Sequence, residues 1–182
     1  DLYLKAATSL HKLQPTSQSA YFLYRLNASR GNVDEALSYI SEALAYTDLE
    51  TETAADYNYE AAAFCVKNGR NPQAITFAEK AKELSSSYAG KVYFLIGTIW
   101  GATSCGGDEI SRRAPYWVAV DYMERAKAAD ASLAEDCNRM ISQYRVYYPQ
   151  TAEAFMYNLT DGQSYTVSCG GMRATTTVRT QK

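Results

Sequence analysis

The sequence predicts an all-α solenoid of antiparallel helix pairs, about three pairs plus flanking helices, closed by a small C-terminal β-hairpin. Three observations carry this. Small and bulky residues recur at one spacing on three stretches of helical period: Ala36-x3-Ile40-x2-Ala43, Ala74-x3-Ala78-x2-Ala81 and Ala119-x3-Met123-x2-Ala126. Residues three and four apart share a helix face, so each triplet is a stripe along which a neighbouring helix can approach closely. A second helical segment precedes each stripe at a repeating offset: 12 residues separate Tyr24 from Ala36 and Ala62 from Ala74, and 22 separate Gly97 from Ala119. From Gln163 onward the helical period gives way to alternation and β-branched residues.

The elements follow in order. Residues 2–13 read as the second helix of a truncated pair, ended by Pro15, so that residues 1–16 close a unit that starts upstream. Residues 17–50 and 55–88 each hold a helix pair, interrupted by Arg30-Gly31-Asn32 and by Asn68-Gly69-Arg70-Asn71-Pro72, with Pro72 in a new first turn. Residues 90–131 hold a third pair, into which the run ATSCGGDEISRRAPYW is inserted as an irregular loop. Residues 132–148 form a capping helix with apolar positions at Leu133, Cys137, Met140, Ile141, Tyr144 and Tyr148, stopped by Pro149. Residues 1–148 are therefore one helical array and 149–182 a C-terminal extension. The extension carries a hairpin over 163–179 with Gly170-Gly171 as its two-residue turn. Tyr165, Val167 and Cys169 share one face, Met172, Ala174 and Val178 form a second apolar row, and Arg173 and Arg179 fall on the polar face. A lone hairpin is marginal in water, so it must dock on the helices or on a partner.

Composition narrows the function. Lys and Arg number 18 against 20 Asp and Glu, a net charge of −2, which lacks the concentrated basic excess of a nucleic-acid binder. No stretch approaches the length of apolar sequence needed to span a membrane as a helix. One histidine, His11, and cysteines without C-x-x-C spacing leave little for metal chemistry, so neither a metal nor a cofactor is expected. The start at Asp1, without methionine or apolar leader, is that of a processed protein or a fragment.

The run Tyr93-x2-Ile96-Gly97-x2-Trp100 matches the W-x2-L-G-x2-Y pattern with its two aromatic types exchanged. With the three stripes in register, the chain resembles the tetratricopeptide repeat (TPR) family over roughly residues 1–148. That resemblance implies a concave groove lined by the first helix of each pair. It would set Tyr21, Tyr59 and Phe94 as aromatic anchors, with Arg25, Asp56, Lys91 and Thr98 beside them. The carboxylate clamp of chaperone-binding members is not matched: Tyr21, Arg25, Glu60 and Leu95 stand at its positions and only Lys91 fits. The run SYTVSCGGMRATTTVRT resembles the C-terminal segment of exported or lipid-anchored TPR proteins of Bacteroides-type bacteria, which implies a periplasmic or outer-membrane location.

The expected function is a non-catalytic interaction module that takes a protein or peptide partner in its groove, with oligomeric state open. A rival is a purely structural segment of a longer solenoid or envelope assembly. A further rival is a thiol-dependent enzyme or redox protein using Cys105 or Cys169, each within Ser-Cys-Gly-Gly, although His11 lies far along the array. In an oxidising compartment the four cysteines allow up to two bridges in three connectivities, with Cys105–Cys137 as the candidate pair.

Overall fold

The computed structural model describes residues 1–181, which are mostly helical, with one two-stranded antiparallel sheet. The chain divides into two compact units, Asp1–Ser85 and Ser86–Lys182.

The first unit holds α1 (Leu2–Leu13), α2 (Ser17–Ser29), α3 (Val33–Ala45), α4 (Thr51–Lys67) and α5 (Asn71–Leu84). α2 packs mainly on α3, and α4 on α5. The stripes explain these pairs: Ala36, Ile40, Ala43, Ala74, Ala78 and Ala81 are all fully buried. On the facing helices Ala20, Leu23, Tyr24, Ala61 and Ala62 are buried against them. Alanine leaves no side chain beyond Cβ, so backbones come close and the larger neighbours fill the remaining space. The start of α2 is fixed by a capping box in which the Thr16 and Ser19 side chains each accept from the other's backbone N–H at 3.0 Å. Pro72 sits in the first turn of α5, as expected.

The second unit holds α6 (Ala89–Gly101), α7 (Glu109–Ala129), α8 (Ala134–Arg145), α9 (Thr151–Met156), β1 (Ser164–Cys169) and β2 (Met172–Thr177). α6 packs on α7 with Gly97 at the contact. A Cβ there would lie 2.9 Å from Met123 Cε, 3.2 Å from Tyr122 Cβ and 3.3 Å from the Ala119 carbonyl oxygen. Ala119, Met123 and Ala126 are fully buried, with Trp100 filling the space nearby.

Two expectations are corrected here. The insertion after Ala102 is not loop throughout: residues 109–117 lengthen α7 at its N-terminal end, leaving only 102–108 irregular. Asp108 caps the new start by accepting from the Ser111 N–H at 2.7 Å, a contact that also holds its carboxyl below the usual range. Pro115 lies inside this helix, fully packed by its neighbours. The extension, in turn, contains the short helix α9, which the sequence did not suggest.

The hairpin is in the expected place. Cys169 pairs with Met172 across Gly170-Gly171, whose φ values of 61° and 75° are the positive pair that a two-residue turn of this kind demands. Tyr165, Val167 and Cys169 face Thr176, Ala174 and Met172 across the ladder, so Thr176 takes the third place in the apolar row and Val178 follows β2 as a fully buried residue. The hairpin docks on α7. Trp117, fully buried, meets Tyr165 edge-on with ring centres 5.4 Å apart. Arg179 is not a solvated residue of the polar face: it is paired with Asp121 of α7, whose other carboxylate oxygen accepts from Thr176 Oγ1 at 2.5 Å.

Candidate functional site

The first unit carries the most organised group of side chains among the sequence-predicted site residues. Tyr21 of α2 is half-buried, and its ring stacks on Tyr57 of α4 with centres 4.1 Å apart and planes 6° from parallel. Its hydroxyl donates to Glu60 Oε2 at 2.5 Å. Burial, and then the Glu60 carboxylate, push the phenol up to about 12, so the hydroxyl stays protonated as a donor through the neutral range. The Arg25 guanidinium, one turn along α2, lies 6.0 Å from the Tyr21 ring centre and is exposed. Behind this platform Tyr24 is buried and meets Phe64 edge-on at 5.7 Å.

Asp56 is exposed and Tyr59 half-buried on α4. The aromatic partner of Tyr21 is Tyr57, not the expected Tyr59. Positions 57 and 59 are two apart on a helix, about 200° around its axis, so they lie on different faces. Only the rotation of α4 decides which of the two meets α2. A signal was available: Tyr57 and Glu60 are three apart and share a face, which is the pair that Tyr21 touches.

In the second unit Lys91 is exposed, with its ammonium 5.7 Å from the Tyr88 ring centre. Phe94 is half-buried, and the partly buried Thr98 hydroxyl donates to the Leu95 carbonyl at 2.7 Å.

The cysteine expectation is corrected. Cys105 is bonded to Cys169, with Cα atoms 5.8 Å apart, and Cys137 is a buried free thiol on α8. The reason lies in the docking of the hairpin: its turn comes up beside the 102–108 loop, while Cys137 is drawn into the helical core. The two cysteines singled out for thiol chemistry are thus joined to each other. Of the free thiols, Cys65 is pushed up to about 11 and Cys137 also upward, both chiefly by burial, which disfavours the reactive thiolate.

His11 is buried between α2 and α3, with Nδ1 2.5 Å from Ser19 Oγ and Nε2 2.7 Å from Glu42 Oε1. The order of Ser, His and carboxylate invites comparison with a nucleophilic triad, but Ser19 Oγ already closes the capping box with Thr16. The contact ties three helices together. Among the described residues no group of three His, Cys, Asp or Glu side chains is placed to hold a metal ion, and no helix is long and apolar enough to cross a membrane.

The chain matches no family model, and no curated protein matches it.

Proposed function

We propose that this chain is a non-catalytic protein–protein interaction module of the tetratricopeptide type, which binds a peptide or protein segment on the first helices of its pairs. The observation that carries the reading is the platform of Tyr21, Tyr57 and Glu60. Two stacked rings fixed by a short hydrogen bond offer a flat contact surface already held in place, so little side-chain freedom is lost on binding. Exposed Arg25 and Asp56 flank the rings and would set charge preference. Lys91, Phe94 and Thr98 on α6 are the corresponding candidates in the second unit, and Tyr59 is the candidate on the other face of α4. The consistent burial of the small-residue stripes supports the TPR arrangement. An exported location is supported by the Cys105–Cys169 bond, since disulfides persist in oxidising compartments; the bacterial envelope is what the resemblance of the C-terminal run implies.

The test is affinity capture from an envelope extract with the parent chain, a Tyr57→Ala variant and a Tyr59→Ala variant as parallel baits. Their helix content would be compared by circular dichroism. A partner held by the parent and lost by a still-folded variant supports the groove and says which face of α4 it uses. Equal recovery from all three baits sinks it.

A second reading, a structural segment of a longer solenoid, is favoured by α1. Ala6-x3-Leu10-x2-Leu13 repeats the stripe spacing of α3, yet Leu10 is 68% and Leu13 83% exposed, where Ile40 and Ala43 are fully buried. Tyr3 and Phe22 extend this apolar face, their rings edge-on at 6.2 Å. Solubility and stability that rise when Leu10 and Leu13 are replaced by Glu, with no loss of capture, would favour this reading over the first.

A further inference from the structure

A cleft of about 690 Å³ opens in the second unit where α7, the end of α8 and the residues after β2 converge. That volume lies in the range of small-ligand sites. Val120 and Val146 give it apolar wall, and Arg145, Arg179, Glu124 and Asp161 give it charge.

Most of those charges are already compensated. Arg179 is paired with Asp121 and also donates to the Trp117 carbonyl at 3.0 Å. Glu124 pairs with Lys127 at 3.0 Å. Asp161 Oδ1 accepts from the Thr180 backbone N–H at 2.8 Å. Arg145 forms no ion pair with any carboxylate among the described residues, and it is exposed at the cleft mouth.

The second anomaly is Tyr148. The residue is 6% exposed and lines the same cleft, and its buried hydroxyl finds no acceptor for its proton. Buried hydroxyl donors are bonded in the great majority of cases, so one left without an acceptor is unusual and costly. Burial pushes the phenol up; Arg179, and then Arg145 by its charge and by a side-chain hydrogen bond toward the phenol oxygen, pull the other way, and the Asp121 carboxylate adds a smaller upward push. Guanidinium groups only donate, so the unmet need of the phenol is an acceptor for its proton.

We propose that this cleft binds a ligand through a single carboxylate, which accepts from the Tyr148 hydroxyl and pairs with the Arg145 guanidinium. One uncompensated cation beside one orphaned donor fits a monoanionic acceptor. A dianion such as phosphate would meet Glu124 and Asp161 with only one free positive charge to balance it. The carboxylate has two natural sources, a small organic acid and the C-terminus of a peptide. The proposal is independent of the aromatic platform on α2 and α4.

The test uses isothermal titration of the full chain with leucine, N-acetyl-leucine and leucinamide, and with one tripeptide in its free-acid and amide forms. The free acids are expected to bind and the amides not. Affinity that rises from leucine to the tripeptide acid assigns the site to chain ends, and equal affinity assigns it to small acids. Arg145→Gln and Tyr148→Phe should each weaken binding by about tenfold, while Arg112→Gln, outside the cleft, should not. Tyr148→Phe keeps the ring, and without ligand it should be at least as stable as the parent, because the orphaned hydroxyl is gone. The proposal falls if no free acid binds, if acids and amides bind alike, or if both variants bind as the parent does.

Discussion

Trp117 and Arg179 exchange hydrogen bonds: the indole Nε1–H donates to the Arg179 carbonyl at 2.9 Å, and the Arg179 guanidinium donates to the Trp117 carbonyl at 3.0 Å. With the Asp121 ion pair on the same guanidinium, this clasp joins the chain after β2 to the middle of α7. A helix interior leaves its carbonyls committed to the ladder, and the arginine uses the second lone pair of one of them. The hairpin is therefore held by directed bonds as well as by the apolar face of Val167 and Met172.

Arg179→Met keeps the aliphatic stem and removes the charge. It strands Asp121, largely buried, with only the Thr176 hydroxyl as a partner. A loss of about 2 kcal/mol in urea-denaturation stability is expected. Adding Asp121→Asn should restore part of it. Full additivity of the two substitutions would show that the pair is not coupled in the fold.

Reduction should cost more. The Cys105–Cys169 bond closes a loop of sequence separation 64, and the chain-entropy estimate for such a loop is roughly 4 kcal/mol. Melting with and without reductant measures this directly, with the Cys105→Ser and Cys169→Ser pair as control. Thiol counting gives a second readout. The native protein should show no rapidly reacting thiol, the denatured protein two, and the denatured, reduced protein four. A fast native thiol would contradict the burial of Cys65 and Cys137.

Much of the scaffold was legible because small residues leave a signature. Ala36, Ala74 and Ala119 mark where helices must touch, and Gly170-Gly171 between alternating runs admits one turn geometry. The misses share a different cause. The run ATSCGGDEISRRAPYW reads as irregular loop, yet its second half is helix: Pro115 forfeits one ladder bond, a loss that burial makes tolerable in α7. The partner of Cys105 depends on where a docked hairpin brings its turn. The choice between Tyr57 and Tyr59 depends on helix rotation, and the Tyr148 cleft draws on segments from Val120 to Gln181. None of these is a local property of the chain.

Alkali should destabilise the protein through its tyrosines. The phenol of Tyr21 is raised from 10.0 to about 12, and that of Tyr24 is raised further in the same direction, both chiefly by burial. A folded-state pKa above the unfolded value favours the folded form while the phenol is protonated in both states. That advantage is lost as pH climbs from the unfolded value of 10.0 through the folded one near 12. Unfolding midpoints should therefore fall across this window, and Tyr21→Phe and Tyr24→Phe should each flatten the fall. A slope unchanged in both variants would refute the assignment.

Gly90, near the start of α6, tests how closely the second unit is packed. A Cβ there would stand 2.6 Å from Asp130 Cβ and 3.2 Å from Leu133 Cδ1. Alanine is ordinarily the better helix former by up to about 1 kcal/mol. Here the clash with a short, bonded side chain should reverse the sign, for a net loss of about 1–2 kcal/mol. A stabilised Gly90→Ala variant would mean that the Asp130 turn gives way freely.

The Cys105–Cys169 bond also decides how the chain answers to mechanical load. A pull on the residues after β2 peels that strand from β1 pair by pair, from Ser164–Thr177 back toward Cys169–Met172. There the covalent link takes the tension and passes it across to Cys105, in the 102–108 loop that follows α6. The 64-residue span containing α7, α8 and α9 is bypassed and pays out no length until the sulfurs part. In an oxidising milieu this end of the molecule would behave as a short, stiff tether, and after reduction as a long, extensible one.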